Sequence, residues 1–376
     1  MNSETPVRRI KVLHLVTSLE VGGAQHNMLQ GLPRLDPEKY EHIICSIMDR
    51  MQMAEQFRQL GIEVHSLGLR RKIDLGVAIR LHSLLKRIRP DVMHTYLLHG
   101  NVLGRVVGRL SGVPSIISSE LTIGQARMWG RITTKLTNPL ADAVEVNSVA
   151  GGEAVVSDLG VPKEKIKVVL PGLDLDEFGS TTNRDQMRLE LGVDATKHLV
   201  LYIGRLRPVK GVEYGIKAFA SALGELPNMH MALAGEGEQR EDLEALAGTL
   251  GISEHVSFLG VRNDLPDLLS AADSVLMPSL TEGFPRVAIE AMAAGKSVIA
   301  TKVGGVPEAI THGQSGILVQ PKNIESMSTA LVELVRDVEL QARLSVAARK
   351  HVEQNYSVEK YVARLDEIYS QLSSVS

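Results

Sequence analysis

One cysteine and one tryptophan stand in 376 residues, and aromatic side chains make up only 3% of the chain. A single thiol excludes an internal disulfide framework and a cysteine-cluster zinc site. Cys45 lies in the apolar run 42–48, so a buried structural thiol is expected there rather than a nucleophile. Scarce aromatics leave few stacking platforms for bases, which argues against a nucleic-acid partner. No apolar stretch approaches the ~20 residues needed to span a bilayer. The amino-terminal residues show no apolar core followed by a small-residue cleavage site. The expected location is the cytoplasm, with peripheral contact at the inner membrane face.

What is present is aliphatic, glycine-rich and uneven in charge. Hydrophobic residues form 44% of the chain, glycine occurs 33 times and the net charge is −3. Residues 1–176 carry 22 basic and 18 acidic side chains; the remaining residues carry 19 and 26. Basic residues crowd 70–109 (Arg70, Arg71, Lys72, Arg80, Lys86, Arg87, Arg89, Arg105 and Arg109) against Asp74 and Asp91 alone. Such a stretch is either a solvated helix face or a contact for anionic lipid or an anionic acceptor.

Continuous apolar runs alternate with amphipathic segments such as 24–35 and 75–88, the pattern of parallel α/β units buried on both faces. One set of runs covers 10–17, 41–48, 63–67, 91–95, 115–119 and 143–147. A second covers 198–203, 230–234, 256–259, 274–277, 297–301 and 316–319. Two sets predict two doubly wound, Rossmann-like domains, 1–180 and 190–355, and the last segment, 358–372, reads as an amphipathic helix. The boundary is read near 171–191, where Gly179-Ser180-Thr181-Thr182-Asn183 has linker character.

Three stretches carry chemistry. In Pro278-Ser279-Leu280-Thr281-Glu282-Gly283-Phe284-Pro285-Arg286, a strand runs into a loop and then a helix. The start of such a helix presents free N–H groups and a positive dipole end, suited to a diphosphate. Glu282 precedes that helix and Glu290 lies inside it, about 7–8 Å along the axis at 1.5 Å per residue. The two carboxylates are placed to grip hydroxyls of a sugar and a ribose. In Gly204-Arg205-Leu206-Arg207-Pro208-Val209-Lys210-Gly211, two cations follow a strand end, where Arg205 and Lys210 can neutralise a diphosphate. After the first strand, Gly22-Gly23 allows close backbone approach to a phosphate. Gly235-Glu236-Gly237-Glu238-Gln239-Arg240 has Arg240 where a dinucleotide fingerprint needs its third glycine, which counts against an NAD enzyme.

These loops, with Gly304-Gly305-Val306-Pro307-Glu308 and Gly313-Gln314-Ser315-Gly316, resemble the family-four retaining glycosyltransferases of the GT-B fold, whose recognisable mark is Glu-x7-Glu. The resemblance implies two Rossmann-like domains with a cleft between them, and a terminal helix over 356–376 that crosses back to complete the first. It also implies transfer of a hexose from a nucleotide diphosphate-sugar to a glycan or lipid-linked acceptor, in cell-envelope polysaccharide or glycolipid synthesis. Arg205 and Lys210 would bind the donor diphosphate and Glu282 the transferred hexose. The Gly283 and Phe284 backbone would lie by the phosphates, Glu290 would hold the ribose diol, and Gly22 and Gly23 would close from the other domain. Family members often carry a histidine at an amino-terminal strand end. Here that stretch reads Ile117-Ser118-Ser119-Glu120, which leaves His94, His99 and Glu120 as acceptor-side groups. Asp174-Leu175-Asp176 spells a D-x-D but falls at the expected hinge, so no metal or other cofactor is expected. A nucleotide-sugar epimerase of the same architecture, or a scaffold that binds the nucleotide sugar without turnover, would use the same residues.

Overall fold

The structure, a computed structural model, describes residues 8–69, 74, 76–121, 128–179 and 184–373. The chain divides into two units, 1–173 with 358–376, and 174–357.

The first unit alternates strand and helix: β1 (Ile10–Val16), α1 (Gly23–Gly31), β2 (Tyr40–Met48), α2 (Ala54–Gln59), β3 (Glu63–Leu69), α3 (Gly76–Ile88), β4 (Val92–Tyr96), α4 (Leu97–Ser111), β5 (Ser115–Ser119), α5 (Met128–Thr137), β6 (Ala143–Val146), α6 (Val149–Leu159) and β7 (Ile166–Val168). The strands form one parallel sheet in the order β3-β2-β1-β4-β5-β6-β7. Connections that move one way across the sheet put α1 and α2 on one face; those that move the other way put α3 to α6 on the opposite face, as right-handed crossovers require. Two apolar cores result. Val12, Met28, Ile44 and Phe57 fill one face, and Leu13, Leu15, Leu81 and Met93 fill the other. Cys45 is fully buried in the second core, where burial pushes its thiol up to about 12.

The second unit runs α7 (Arg184–Glu190), β8 (His198–Ile203), α8 (Val212–Glu225), β9 (Met229–Ala234), α9 (Arg240–Thr249), β10 (Val256–Gly260), α10 (Leu265–Ala271), β11 (Ser274–Met277), α11 (Arg286–Ala293), β12 (Ser297–Thr301), α12 (Val306–Ala309), β13 (Ile317–Val319), α13 (Ile324–Arg336) and α14 (Val338–Asn355). Its parallel sheet is ordered β10-β9-β8-β11-β12-β13. A last helix, α15 (Val358–Ser373), returns to the first unit. Val358, Tyr361, Leu365, Ile368 and Tyr369 recur at helical spacing and face the core there, while Tyr40 Oη and Lys39 Nζ bond Asp366 at 2.8 and 2.6 Å.

All twelve apolar runs are strands. The sequence pattern missed β7, whose Ile166-Lys167-Val168 is a half-buried edge strand too short to stand out. Pro285 precedes α11 as its cap, with ψ of 72° still outside the helical region. The basic stretch 70–109 is not one solvated face. Arg70, Arg71 and Lys72 lie outside the described residues. Arg105 is fully buried against Glu120 at 2.8 Å, and Arg109 pairs with Asp142 at 2.5 Å.

Candidate functional site

Each sheet reverses its strand order once, between β1 and β4 and between β8 and β11. In open parallel sheets the loops at the carboxyl ends of such neighbouring strands diverge and leave a crevice for ligand. In the second unit those loops are 204–211, after β8, and 278–285, after β11. They hold the cations and the acid that stood out in the sequence. Lys210 Nζ lies 2.5 Å from Glu282 Oε1, although 72 positions separate the residues. Ser279 Oγ donates to the same oxygen at 2.7 Å. The sequence reading passed over Ser279; its place three residues before Glu282 and directly after a strand was the available signal. Arg205 is exposed in the same loop as Lys210, its carbonyl accepting from Tyr202 Oη at 2.9 Å.

The loops are locked by backbone contact. Leu280 N–H donates to the Val209 carbonyl at 2.8 Å, and Thr301 Oγ1 at the end of β12 donates to the Ser279 carbonyl. Gly211 (φ +60°) leaves no room for a side chain: a Cβ there would lie 2.2 Å from the Pro278 carbonyl oxygen. Gly304 (φ +49°) brings the loop after β12 so close that a Cβ would lie 1.8 Å from the Glu282 carbonyl oxygen. Gly304→Ala is therefore expected to push the Glu282 loop away and to destabilise the chain by about 2 kcal/mol or more, because the backbone conformation and the contact both exclude a methyl group. A lowered denaturant midpoint at unchanged slope is the check.

Glu290 stands in the second turn of α11, buried, with Arg286 Nε donating to its Oε1 at 2.7 Å. Burial raises its pKa, and the Arg286 guanidinium pulls the other way. Gly283 and Phe284 continue the loop from Glu282; the Phe284 ring is buried with its centroid 5.5 Å from that of Tyr356. The second unit thus brings Arg205, Lys210, Glu282, Gly283 and Phe284 to one sheet edge and sets Glu290 into the helix that leaves it.

In the first unit, Gly22 caps α1 directly after the β1 loop and Gly23 opens that helix. Leu97, at the switch point after β4, takes φ of +62°, a conformation leucine rarely adopts. Glu120 is held by Arg105. His94 is corrected: it is enclosed, 1% exposed, in the middle of the sheet rather than presented at its edge. Its Nδ1 bonds Tyr369 Oη at 2.8 Å, and its Nε2 lies 2.7 Å from both Ser119 Oγ and Glu145 Oε2. A ring so occupied ties α15 to the sheet and has no nitrogen left for an acceptor. Asp174 Oδ1 accepts from Asp176 N–H at 3.2 Å, a local turn contact; among the described residues no cluster of three or more His, Cys, Asp or Glu is arranged to hold a metal.

Residues 183–351 match the model of the glycosyl transferases group 1, and residues 21–177 match that of Glycosyltransferase Family 4. The UDP-Gal:alpha-D-GlcNAc-diphosphoundecaprenol alpha-1,3-galactosyltransferase of Escherichia coli is 25% identical over 379 residues, 96% of this chain and 97% of that protein. A D-inositol 3-phosphate glycosyltransferase of Corynebacterium urealyticum is 34% identical over 246 residues, 62% of this chain and 58% of that protein. Among solved structures, Anabaena Alr3699/HepE in complex with UDP and glucose matches with a TM-score of 0.88 and 25% identity, over 96% of this chain and 100% of that one.

Proposed function

Because the chain is a glycosyltransferase of the GT-B fold, we propose that it moves a hexose from a uridine diphosphate-sugar to a hydroxyl of a glycan or lipid-linked acceptor, with retention at the anomeric carbon. The observation that carries this reading is the Lys210–Glu282 pair at the switch point of the second sheet, with Arg205 exposed beside it. Arg205 and Lys210 neutralise the diphosphate, while the start of α11 directs N–H groups at it. Glu282 accepts a hydrogen bond from a hexose hydroxyl, and Glu290 accepts from the ribose diol.

In the transfer, the bond from the anomeric carbon to the diphosphate oxygen breaks and its electron pair leaves with the diphosphate. The sugar passes through an oxocarbenium-like state. The acceptor oxygen bonds the anomeric carbon on the face just vacated, and its proton goes to the departing phosphate oxygen. Positive charge for the leaving group comes from Arg205, Lys210 and the helix end, so transfer proceeds without a divalent ion and its rate is unchanged in EDTA.

Donor class is read by thermal unfolding with UDP, GDP and ADP. A ligand at 100 times its Kd stabilises by about 2.7 kcal/mol. UDP is expected to raise the midpoint of the wild-type chain and to have little effect on Arg205→Ala or Glu290→Ala. No response to UDP, or an equal response in both variants, places the donor elsewhere. Release of an altered sugar without any acceptor would favour epimerisation over transfer.

A further inference from the structure

An amphipathic surface helix ordinarily turns its apolar stripe inward. Helix α5 does the reverse. At 100° per residue, Met128, Trp129, Ile132 and Leu136 fall within one 100° sector, and all four are exposed, Trp129 by 74% and Leu136 by 74%. Its inward positions are the small or polar Gly130 and Thr134. Arg131 and Lys135 border the stripe on one side.

The neighbouring helices extend the same character. α3, α4 and α5 pack side by side on one face of the first sheet. None of the three carries an acid; Arg105 is buried against Glu120, and Arg80, Arg109 and Arg131 face Asp74, Asp142 and Asp158, so the cations open to a ligand are fewer than the basic residues. Both α4 and α5 return antiparallel to the strands, so Leu110, 76% exposed near the end of α4, lies level with Leu136 near the end of α5. Among the described residues Lys86, Arg87 and Lys135 have no acidic partner.

We infer that the outer face of α4 and α5, flanked by the cations of α3, is a docking surface for an anionic lipid bilayer. Tryptophan and aliphatic side chains bordered by Lys and Arg suit the headgroup boundary, where the ring and alkyl groups enter and the cations stay with the phosphates. A second copy of this chain fits less well, since a twofold contact through this face would bring two cation-flanked surfaces together. α5 also starts at the carboxyl edge of the first sheet, the edge to which β1 delivers Gly22 and Gly23. A docked α5 therefore holds that edge at the lipid surface, where a lipid-linked acceptor resides. The inference rests on the proposed transfer reaction for that purpose, though not for its geometry.

Trp129 is the only tryptophan in the sequence, so its emission reports this surface alone. The purified full chain is mixed with vesicles of phosphatidylglycerol and phosphatidylcholine, with phosphatidylcholine vesicles, and with vesicles bearing brominated chains. Expected are co-flotation with the anionic vesicles, weakened by salt, a shift of Trp129 emission to shorter wavelength, and quenching by bromine. Arg131→Glu with Lys135→Glu is expected to lower vesicle affinity about tenfold or more, and Leu136→Ser to reduce the emission shift. No co-flotation overturns the inference, as does co-flotation with unchanged Trp129 emission, which puts the contact elsewhere. An emission shift that grows with protein concentration without lipid would name a second copy as the occupant. The thermal response to UDP, read on the same samples without vesicles, separates failure of this surface from failure of the donor site.

Discussion

Lys210→Ala is expected to lower kcat/KM for sugar transfer about a thousandfold, roughly 4 kcal/mol of transition-state stabilisation. Two losses combine in this variant. The ammonium group that meets the departing diphosphate is gone, and that group matters most in the transition state, when negative charge gathers on the leaving oxygen. The fall should therefore appear mainly in kcat, with KM for the donor changing less. The second loss concerns Glu282. In the wild-type chain its Oε1 is held by Lys210 at 2.5 Å and by Ser279 at 2.7 Å, and its side chain is only 11% exposed. Without Lys210 a largely buried carboxylate keeps one neutral donor and no counter-charge at 2.5 Å, so its aim at the sugar loosens as well. Lys210→Arg restores the charge but not the fit, because a planar fork does not replace a compact ammonium on a flexible stem. It should recover only part of the rate. Initial rates at saturating acceptor, with the donor varied, are the check. Turnover of Lys210→Ala within tenfold of wild type would mean that the donor charge is neutralised elsewhere.

That pair was legible in the sequence because topology does the work that distance along the chain conceals. A residue just past a parallel strand lands at the carboxyl edge of the sheet, and loops 204–211 and 278–285 each follow such a strand. The sequence did not say that β8 and β11 are neighbours, which is what closes 72 positions to 2.5 Å. Nor could it say that Gly211 and Gly304 are spacers between loops, since a glycine needed for contact reads the same as one needed for a turn. His94 was misread for a related reason. Period-2 alternation assigns a side chain to a face of the strand but not to what covers that face. Here the cover is α15, whose Tyr369 lies 275 positions away. Helix α5 shows the same limit in its own geometry: the spacing of Met128, Trp129, Ile132 and Leu136 does not say which way that side turns, and only the fold shows that it faces out.

Acidification from pH 7.5 to 5 is expected to destabilise the folded chain by several kcal/mol, through histidines that the fold keeps neutral. His14 is fully buried beneath α15; burial first, then the neighbouring His42 and His94 rings, push its pKa well below the usual value. Burial pushes His42 down to about 4. In the second unit His230 is pushed to about 4 by burial, with Lys197 and His255 adding to it, and burial lowers His198 as well. The sign follows from proton binding. Below 6.5 the unfolded chain takes up protons on these rings while the folded chain resists, His42 and His230 until the pH nears 4. Stability is therefore complete above about pH 7 and declines between 6.5 and 4. A ring moved from 6.5 to about 4 removes about 2 kcal/mol of stability by pH 5. Glu290, whose pKa is raised, works in the opposite direction but is one group against four. Aspartates held low by their partners, such as Asp273, lose their contribution only at lower pH. The structural cause is sharpest at the contact between His14 Nε2 and His42 Nδ1, 3.1 Å apart. One nitrogen must donate and the other accept, and protonating both rings would set two N–H groups face to face with a positive charge behind each. Urea unfolding followed by circular dichroism at stepped pH is the measurement. His42→Gln should keep a hydrogen-bonding side chain, remove one titration and flatten the slope between pH 6.5 and 5, whereas equal stability of the wild-type chain at pH 7.5 and 5 would show that these rings are not held neutral by the fold.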